Sequence, residues 1–193
     1  MIKRSVVAVT LLLFLAAGCD GHANSSVPVD SPSSPLGNGG IDNIQCGPDP
    51  SGGIVTDGTT VLANRSKDTV TVEGVRYYGD HHLRLVHAVV LPIRGALVGV
   101  ANGWPPPRRN LLNAKAKWSQ SVPAIGARIP HHLPRFTQLN LVIAFKPMAH
   151  RSVADGIQVR YREDGQQYEL RTHTKTVIVI AEGTTNRECG FRN

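Results

Sequence analysis

The clearest structural signal in this 193-residue chain is the sequence GIQVRYREDGQQYELRT, residues 156–172. In its first half, apolar residues at positions 157, 159 and 161 alternate with polar residues at 158, 160 and 162, which predicts a strand with one buried face. Asp164-Gly165 follows, and an Asp-Gly pair between alternating segments predicts a two-residue hairpin turn, because both central positions need positive φ. The chain returns through Tyr168 and Leu170. The stretch therefore predicts antiparallel β-structure.

Short apolar or alternating runs recur through the rest of the chain, and helical periodicity is nearly absent. They cover residues 68–75, 83–93, 96–101, 139–145 and 175–181. Pro92 and Pro147 lie at the ends of their runs, where a missing N–H does least harm to a sheet. Seven or so short strands in about 140 residues predict an all-β domain, an immunoglobulin-like antiparallel β-sandwich.

Residues 104–136 show the weakest pattern. The run Trp104-Pro105-Pro106-Pro107 predicts an extended polyproline II segment in an exposed connection. Beyond it, only residues 110–118 carry apolar residues that suit a short helix. We therefore expect a long connection between the two sheets in this part of the chain.

Residues 19–44 differ from the rest in composition, being rich in Ser, Pro, Gly, Asn and Asp. They carry too little apolar surface to offset the entropy of ordering. We expect a flexible tether of about 25 residues, roughly 25–30 Å end to end. One folded domain over residues 45–193 would follow it, since roughly 150 residues are enough to bury a single core.

The first nineteen residues are organised as an export signal. Lys3 and Arg4 precede an apolar segment, residues 5–17, that is too short to span a bilayer comfortably. The run Leu15-Ala16-Ala17-Gly18-Cys19 resembles the lipobox of bacterial lipoproteins. The resemblance implies that residues 1–18 are a cleaved signal peptide and that Cys19 carries lipid, a diacylglyceryl group with palmitate-type acyl chains. It also implies a protein anchored on the extracytoplasmic face of the cell membrane. The alternative is an ordinary secretory signal with an incidental Cys19.

Two further cysteines lie near the ends of the predicted domain, Cys46 and Cys189. In an oxidising compartment they are one possible disulfide bond, which would join the first strand to the last. It would close a loop of about 143 residues and stabilise the fold by about 4–5 kcal/mol in the chain-entropy model. Two free thiols are the alternative.

Positive charge is concentrated in the middle of the chain. The formal net charge is +7, and without Lys3 and Arg4 of the signal peptide 19 basic and 14 acidic residues remain. Residues 81–154 contain no aspartate or glutamate. They contain ten basic residues, Arg84, Arg94, Arg108, Arg109, Lys115, Lys117, Arg128, Arg135, Lys146 and Arg151.

If these side chains share a face, they form a positive field that attracts anions. The candidate anion-binding residues are Arg84, Arg94, Arg108, Arg109, Arg128 and Arg135. The expected partners are anionic lipid, a cell-wall polymer or an envelope protein. Nucleic acid is not expected, because no aromatic-rich sheet motif accompanies the charge. The alternative is a scattered, solvated surface, because residues close in sequence on β-strands need not be close in space.

Six of the eight histidines lie in the same region. The pairs His81-His82 and His131-His132 suggest an alternative function, an extracytoplasmic copper- or zinc-binding protein. Adjacent residues on a strand point to opposite faces, so each pair offers one imidazole to a common site, and carboxylates are absent nearby. Exposed loop histidines are the simpler interpretation, and pH sensing is a third.

Motifs for catalysis are missing from the sequence. It has no Gly-x-Ser-x-Gly elbow, His-Glu-x-x-His helix, Ser-x-x-Lys pair or phosphate-binding glycine loop. We therefore expect a binding protein rather than an enzyme, with no cofactor.

Overall fold

The structure, a computed structural model, describes residues 34–38, 44–48 and 53–179. Within these residues the regular secondary structure is nearly all β-strand, with very little helix, which confirms the predicted all-β class. The strands are β1 (Leu36–Asn38), β2 (Ile44–Pro48), β3 (Val55–Asn64), β4 (Val70–Tyr78), β5 (Leu83–Ile93), β6 (Gly99–Asn102), β7 (Val122–Pro123), β8 (Arg128–Ile129), β9 (Gln138–Pro147), β10 (Arg151–Ala154), β11 (Gly156–Glu163), β12 (Gln166–Arg171) and β13 (Lys175–Val179). The helical parts are α1 (Arg108–Asn113) and a 3-10 turn (Trp118–Gln120).

The first layer is a six-stranded sheet, here called the large sheet, with strand order β1-β3-β9-β5-β7 and β6 paired to β3. Its centre is the antiparallel pair β5–β9, whose register runs from Leu83 opposite Pro147 to Ile93 opposite Gln138. A register shift between Leu85 and His87 reverses which face the following residues occupy. Pro92 lies one residue before the end of β5.

The second layer is a four-stranded sheet with order β12-β11-β4-β8. The predicted hairpin is present, with Glu163 opposite Gln166 across the turn. Asp164 and Gly165 have φ angles of 45° and 78°, the positive values that this turn requires. A small sheet, β10-β13-β2, completes the fold, and its β13–β2 pair is parallel.

The main core lies between these two layers. Tyr161 and Val159 of β11 are fully buried in it, and Tyr77 of β4 packs edge-on against Phe145 of β9 with ring centroids 5.6 Å apart. The chain passes from one layer to the other between β3 and β4 and between β4 and β5. The two layers therefore form the antiparallel β-sandwich that the sequence predicts.

A second, smaller core covers the outer face of the large sheet. Val142 points to this face because its neighbours on β9 point into the main core. It packs with Leu91 and Ile93 of β5 and with Ala114, which follows α1. Residues 104–118 are therefore a packed layer over the sheet rather than an exposed connection. The helix in this layer begins at Arg108, two residues before the predicted start, and ends at Asn113.

The expected tether is shorter than predicted. Leu36 is fully buried in the main core, and β1 pairs with β3 from Leu36 opposite Asn64. The Leu36 amide donates to the Tyr161 hydroxyl oxygen over 3.3 Å, and Ser34 Oγ lies 2.6 Å from the same oxygen. The prediction of a flexible segment through residue 44 was therefore wrong for residues 34–38.

Other predictions concern residues beyond the described ranges. The signal peptide, Cys19, residues 20–33 of the expected tether and Cys189 lie outside the described residues, so lipidation and the disulfide bond stay predictions. Cys46 lies on β2, opposite Val177 of β13. Among the described residues, no helix has both the length and the apolar composition that a membrane crossing requires.

Candidate anion-binding site

A groove of about 390 Å³ opens at one end of the large sheet. Its lining combines three cations, two neutral polar residues and four apolar residues. These residues are Arg94, Lys115 and Lys117, then Gln120 and Thr137, then Pro92, Leu133, Pro134 and Leu139. We call it the cationic groove, and no acidic side chain lines it.

Backbone hydrogen bonds bring Arg94 and Lys115 together. The amides of Arg94 and Gly95 both donate to the carbonyl of Ala114, over 3.0 and 3.1 Å, and the Ala96 amide donates to the Asn113 carbonyl over 3.1 Å. The residues after β5 are thereby docked against the end of α1. Gly95 permits this approach, because a Cβ there would overlap the carbonyl oxygen of Asn113.

The end of α1 fixes the position of Lys115. The Ala116 amide donates to the Leu111 carbonyl, and the Lys115 amide donates to the Leu112 carbonyl, both over 3.0 Å. This is the hydrogen-bond pattern of a Schellman motif, whose left-handed residue is usually glycine. Lys115 occupies that position with a φ of 48°. The lysine side chain of residue 115 is therefore held at a backbone position that favours glycine. Such strained backbone conformations are often found at functional sites.

The other wall of the groove is the turn before β9. The Thr137 amide donates to the Pro134 carbonyl over 2.9 Å, which closes a four-residue turn. Thr137 Oγ1 is buried and has no hydrogen-bond partner among the described residues. Because buried hydroxyls are normally hydrogen-bonded, this group is available to a ligand or to water.

The charges of the groove are unopposed. None of the cations Arg94, Lys115 and Lys117 forms an ion pair with a described residue. The ion pairs of the four-stranded sheet lie elsewhere, between Arg162 and Glu73 and between Arg171 and Glu169. An anion in the groove would therefore gain charge-assisted hydrogen bonds without displacing an internal partner.

The structure distributes the six predicted arginines over several elements. Arg94 lines the groove and Arg135 lies on its bordering turn, whereas Arg108 and Arg109 are exposed on the first turn of α1. Arg84 lies near the start of β5, ten residues and roughly 30 Å of strand from Arg94. Arg128 lies on β8, in the other layer. The six therefore do not form one face.

Two groove cations, Lys115 and Lys117, were counted in the charged block but were not chosen as site residues. The sequence signal for them is their place in the acid-free block, residues 81–154, which they share with eight other basic residues. Their approach to Arg94 depends on a contact between segments about twenty residues apart, which no local pattern contains.

The histidine pairs do not assemble. The rings of His131 and His132 have centroids 4.0 Å apart, while His81 and His82 lie before β5, where His81 bridges to Val153. Among the described residues, no group of three or more histidine, cysteine, aspartate or glutamate side chains is placed to hold a metal ion. The copper or zinc hypothesis therefore stays a prediction without a geometric site in this part of the chain.

One buried carboxyl group lies apart from the groove, in β3. Asp57 Oδ1 accepts hydrogen bonds from the amide and hydroxyl of Thr59, over 3.1 and 2.7 Å, and Oδ2 has no partner. Burial raises the pKa of Asp57, and the two bonds from Thr59 oppose that rise only in part. Burial, with the nearby Asp57 charge, also raises the pKa of Tyr77 well above its ordinary value.

Comparisons of this chain with protein-family models, with curated proteins and with solved structures find no match. The function is therefore argued from the groove and its surroundings. Cations, an amide, a hydroxyl and an apolar floor are suited to hold an anion that also has an apolar part.

Proposed function

We propose that this protein is a membrane-anchored extracytoplasmic lipoprotein that binds anionic components of the cell envelope. The observation that carries the proposal is the meeting of Arg94, Lys115 and Lys117 in one groove without an acidic neighbour or an ion-pair partner among the described residues. The groove lies within the acid-free part of the sequence, residues 81–154, so that distant charges add to the same positive field.

The position of β1 supports an anchor close to the domain. Fourteen residues lie between Cys19 and Ser34, the first described residue, and even a fully extended chain of that length spans at most about 50 Å. A lipid on Cys19 would therefore hold the groove within about that distance, plus the width of the domain, of a membrane surface. Anionic headgroups and wall polymers are the polyanions present there.

The test compares two variants that remove the same charge from different places. The first replaces Arg94, Lys115 and Lys117 with glutamine. The matched control replaces three exposed arginines far from the groove with glutamine, Arg84, Arg128 and Arg151. Both are made in the mature chain with Cys19→Ser, so that lipid does not contribute.

Cosedimentation is measured with phosphatidylglycerol vesicles and with an anionic cell-wall polymer over a range of salt. At about 1 kcal/mol per cation near an anionic surface, the groove variant should bind about 100-fold more weakly, and the control should lose much less. Binding should also weaken as salt rises. Equal losses in both variants, or no binding by the wild-type chain at low salt, would show that the groove is not the binding site.

A further inference from the structure

An exposed aromatic ring stands at the edge of the cationic groove. Phe136 is 76% exposed, the largest exposure among the large hydrophobic side chains of the described residues. It occupies the third position of the turn that the Thr137 amide closes on the Pro134 carbonyl. Since Pro134 and Thr137 line the groove, Phe136 belongs to a turn that borders it.

The backbone at Phe136 is also in the left-handed region, with a φ of 61°. The third position of a tight turn with positive φ is usually glycine or asparagine, because a Cβ is unfavourable there. Lys115, on the opposite side of the groove, has the same feature. A bulky side chain that is largely exposed to water, at a turn position that favours glycine, is the kind of feature that a contact outside the chain would explain.

The neighbouring arginine completes an amphipathic tip. The guanidinium carbon of Arg135 lies 4.8 Å from the centre of the Phe136 ring. This pairs an apolar ring with a cation at one point of the surface. Such a combination suits the boundary of a lipid bilayer, where rings enter the interface and cations meet phosphate groups.

We propose that the cationic groove binds the phosphate of a phospholipid headgroup and that Phe136 inserts beside it into the membrane interface. The proposal rests on the proposed function and names its ligand. Charge complementarity favours an anionic surface, and the exposed ring favours one with an apolar layer beneath the charge. A polymer of sugar phosphates lacks that layer, and the short connection to Cys19 keeps the tip within reach of a bilayer.

The experiment uses the mature chain with Cys19→Ser and compares Phe136→Ala with Phe136→Trp. Met148→Ala is the matched control, because Met148 is 56% exposed but lies at the other end of the β5–β9 pair, next to Pro147. Affinity is measured for vesicles of phosphatidylglycerol and phosphatidylcholine and for an anionic cell-wall polymer. Near-ultraviolet circular dichroism confirms that each variant is folded.

Phe136→Ala should weaken vesicle binding about tenfold, from the loss of one buried ring, and Phe136→Trp should retain it. Polymer binding should be the same in all three variants, and Met148→Ala should bind vesicles like the wild type. Unchanged vesicle binding by Phe136→Ala, with loss in the groove variant, would overturn the insertion and leave the proposed function standing. An equal loss of polymer and vesicle binding in Phe136→Ala would identify the ring as a polymer contact. If the groove variant binds both vesicles and polymer like the wild type, both proposals fail; if it loses only polymer binding, the phospholipid proposal fails and the proposed function stands.

Discussion

Asp57 is a carboxyl group enclosed by an apolar core, and its protonation is linked to stability. Its folded-state pKa is raised by burial, so folding favours the protonated form. The contribution of Asp57 to the free energy of unfolding is therefore greatest below its unfolded-state pKa, about 3.9. It falls as pH rises from that value through the folded-state pKa, and above the folded-state pKa it is constant. Above that folded-state pKa the buried carboxylate is charged, and its Oδ2 has no hydrogen-bond partner among the described residues.

We expect Asp57→Asn to favour the folded state more at pH 8 than at pH 4, by about 1–3 kcal/mol in the free energy of unfolding, since it removes a group that becomes charged as pH rises and keeps an oxygen to accept from Thr59. The gain should shrink as pH falls, because wild-type Asp57 becomes neutral. Urea denaturation between pH 4 and 8 measures it, with the exposed Asp80→Asn as the control. A difference in stability between variant and wild type that does not change with pH would contradict the linkage.

At the scale of elements, one glycine sets the distance between β5 and α1. The amides of residues 94–96 bond to carbonyls at the end of α1, and Gly95 faces the Asn113 carbonyl oxygen without room for a Cβ. We expect Gly95→Ala to push the end of α1 away from the strand. Overpacking of this kind costs about 1–3 kcal/mol, and Lys115 would move with the helix end.

The variant should therefore lose both stability and anion affinity, measured by urea denaturation and by vesicle cosedimentation. Gly74→Ala is the matched control, because a Cβ there meets only the flexible end of the Arg160 side chain, 3.2 Å away. If Gly95→Ala destabilises the protein but binds vesicles with wild-type affinity, the spacing of the two segments does not matter to the groove.

The elements differ in how far local sequence determines them. The hairpin of β11 and β12 was predictable because alternation and the Asp-Gly turn are both local signals. Strand β3 was missed, since Asp57 and Gly58 interrupt its apolar pattern at a register shift. β1 was assigned to the tether because its three residues are held by β3 and Tyr161, which are distant in sequence.

In the candidate site, too, local features could be predicted from the sequence, whereas contacts between distant segments could not. The acid-free block was visible in the sequence, and it does contain the groove cations. Their grouping was not visible, because it depends on backbone bonds between residues 94–96 and the end of α1. Composition thus indicated the sign of the charge in the groove, whereas the grouping of Arg94 with Lys115 and Lys117 could be seen only in the folded chain.

At the scale of the whole molecule, the two layers differ in their charge. In the four-stranded sheet, acids and bases are paired, as Arg162 with Glu73 at 2.6 Å and Arg171 with Glu169 at 2.7 Å. The outer side of the large sheet is built from residues of the acid-free block, and its groove cations have no such partners among the described residues. The two layers therefore differ in that the four-stranded sheet carries ion pairs, whereas the groove cations have no acidic partner among the described residues.

The ends of the domain meet in the small sheet, and this bears on the expected disulfide bond. β2 carries Cys46 opposite Val177 of β13, and Cys189 follows the end of β13 by ten residues. Ten residues reach at most about 35 Å, so the chain is long enough for Cys189 to return to Cys46. Their bond would close a loop that contains every strand from β3 to β13.

We expect non-reducing peptide mapping of the exported chain with Cys19→Ser to recover Cys46 and Cys189 in one linked peptide. Reduction should lower the free energy of unfolding by about 4–5 kcal/mol and Tm by about 10–20 °C. The double variant Cys46→Ser with Cys189→Ser should show the lower Tm with and without reductant, which separates the bond from other effects of the reagent. Two titratable thiols in the folded, non-reduced chain would contradict the bond, and the β13–β2 pair would then hold the two ends by hydrogen bonds alone.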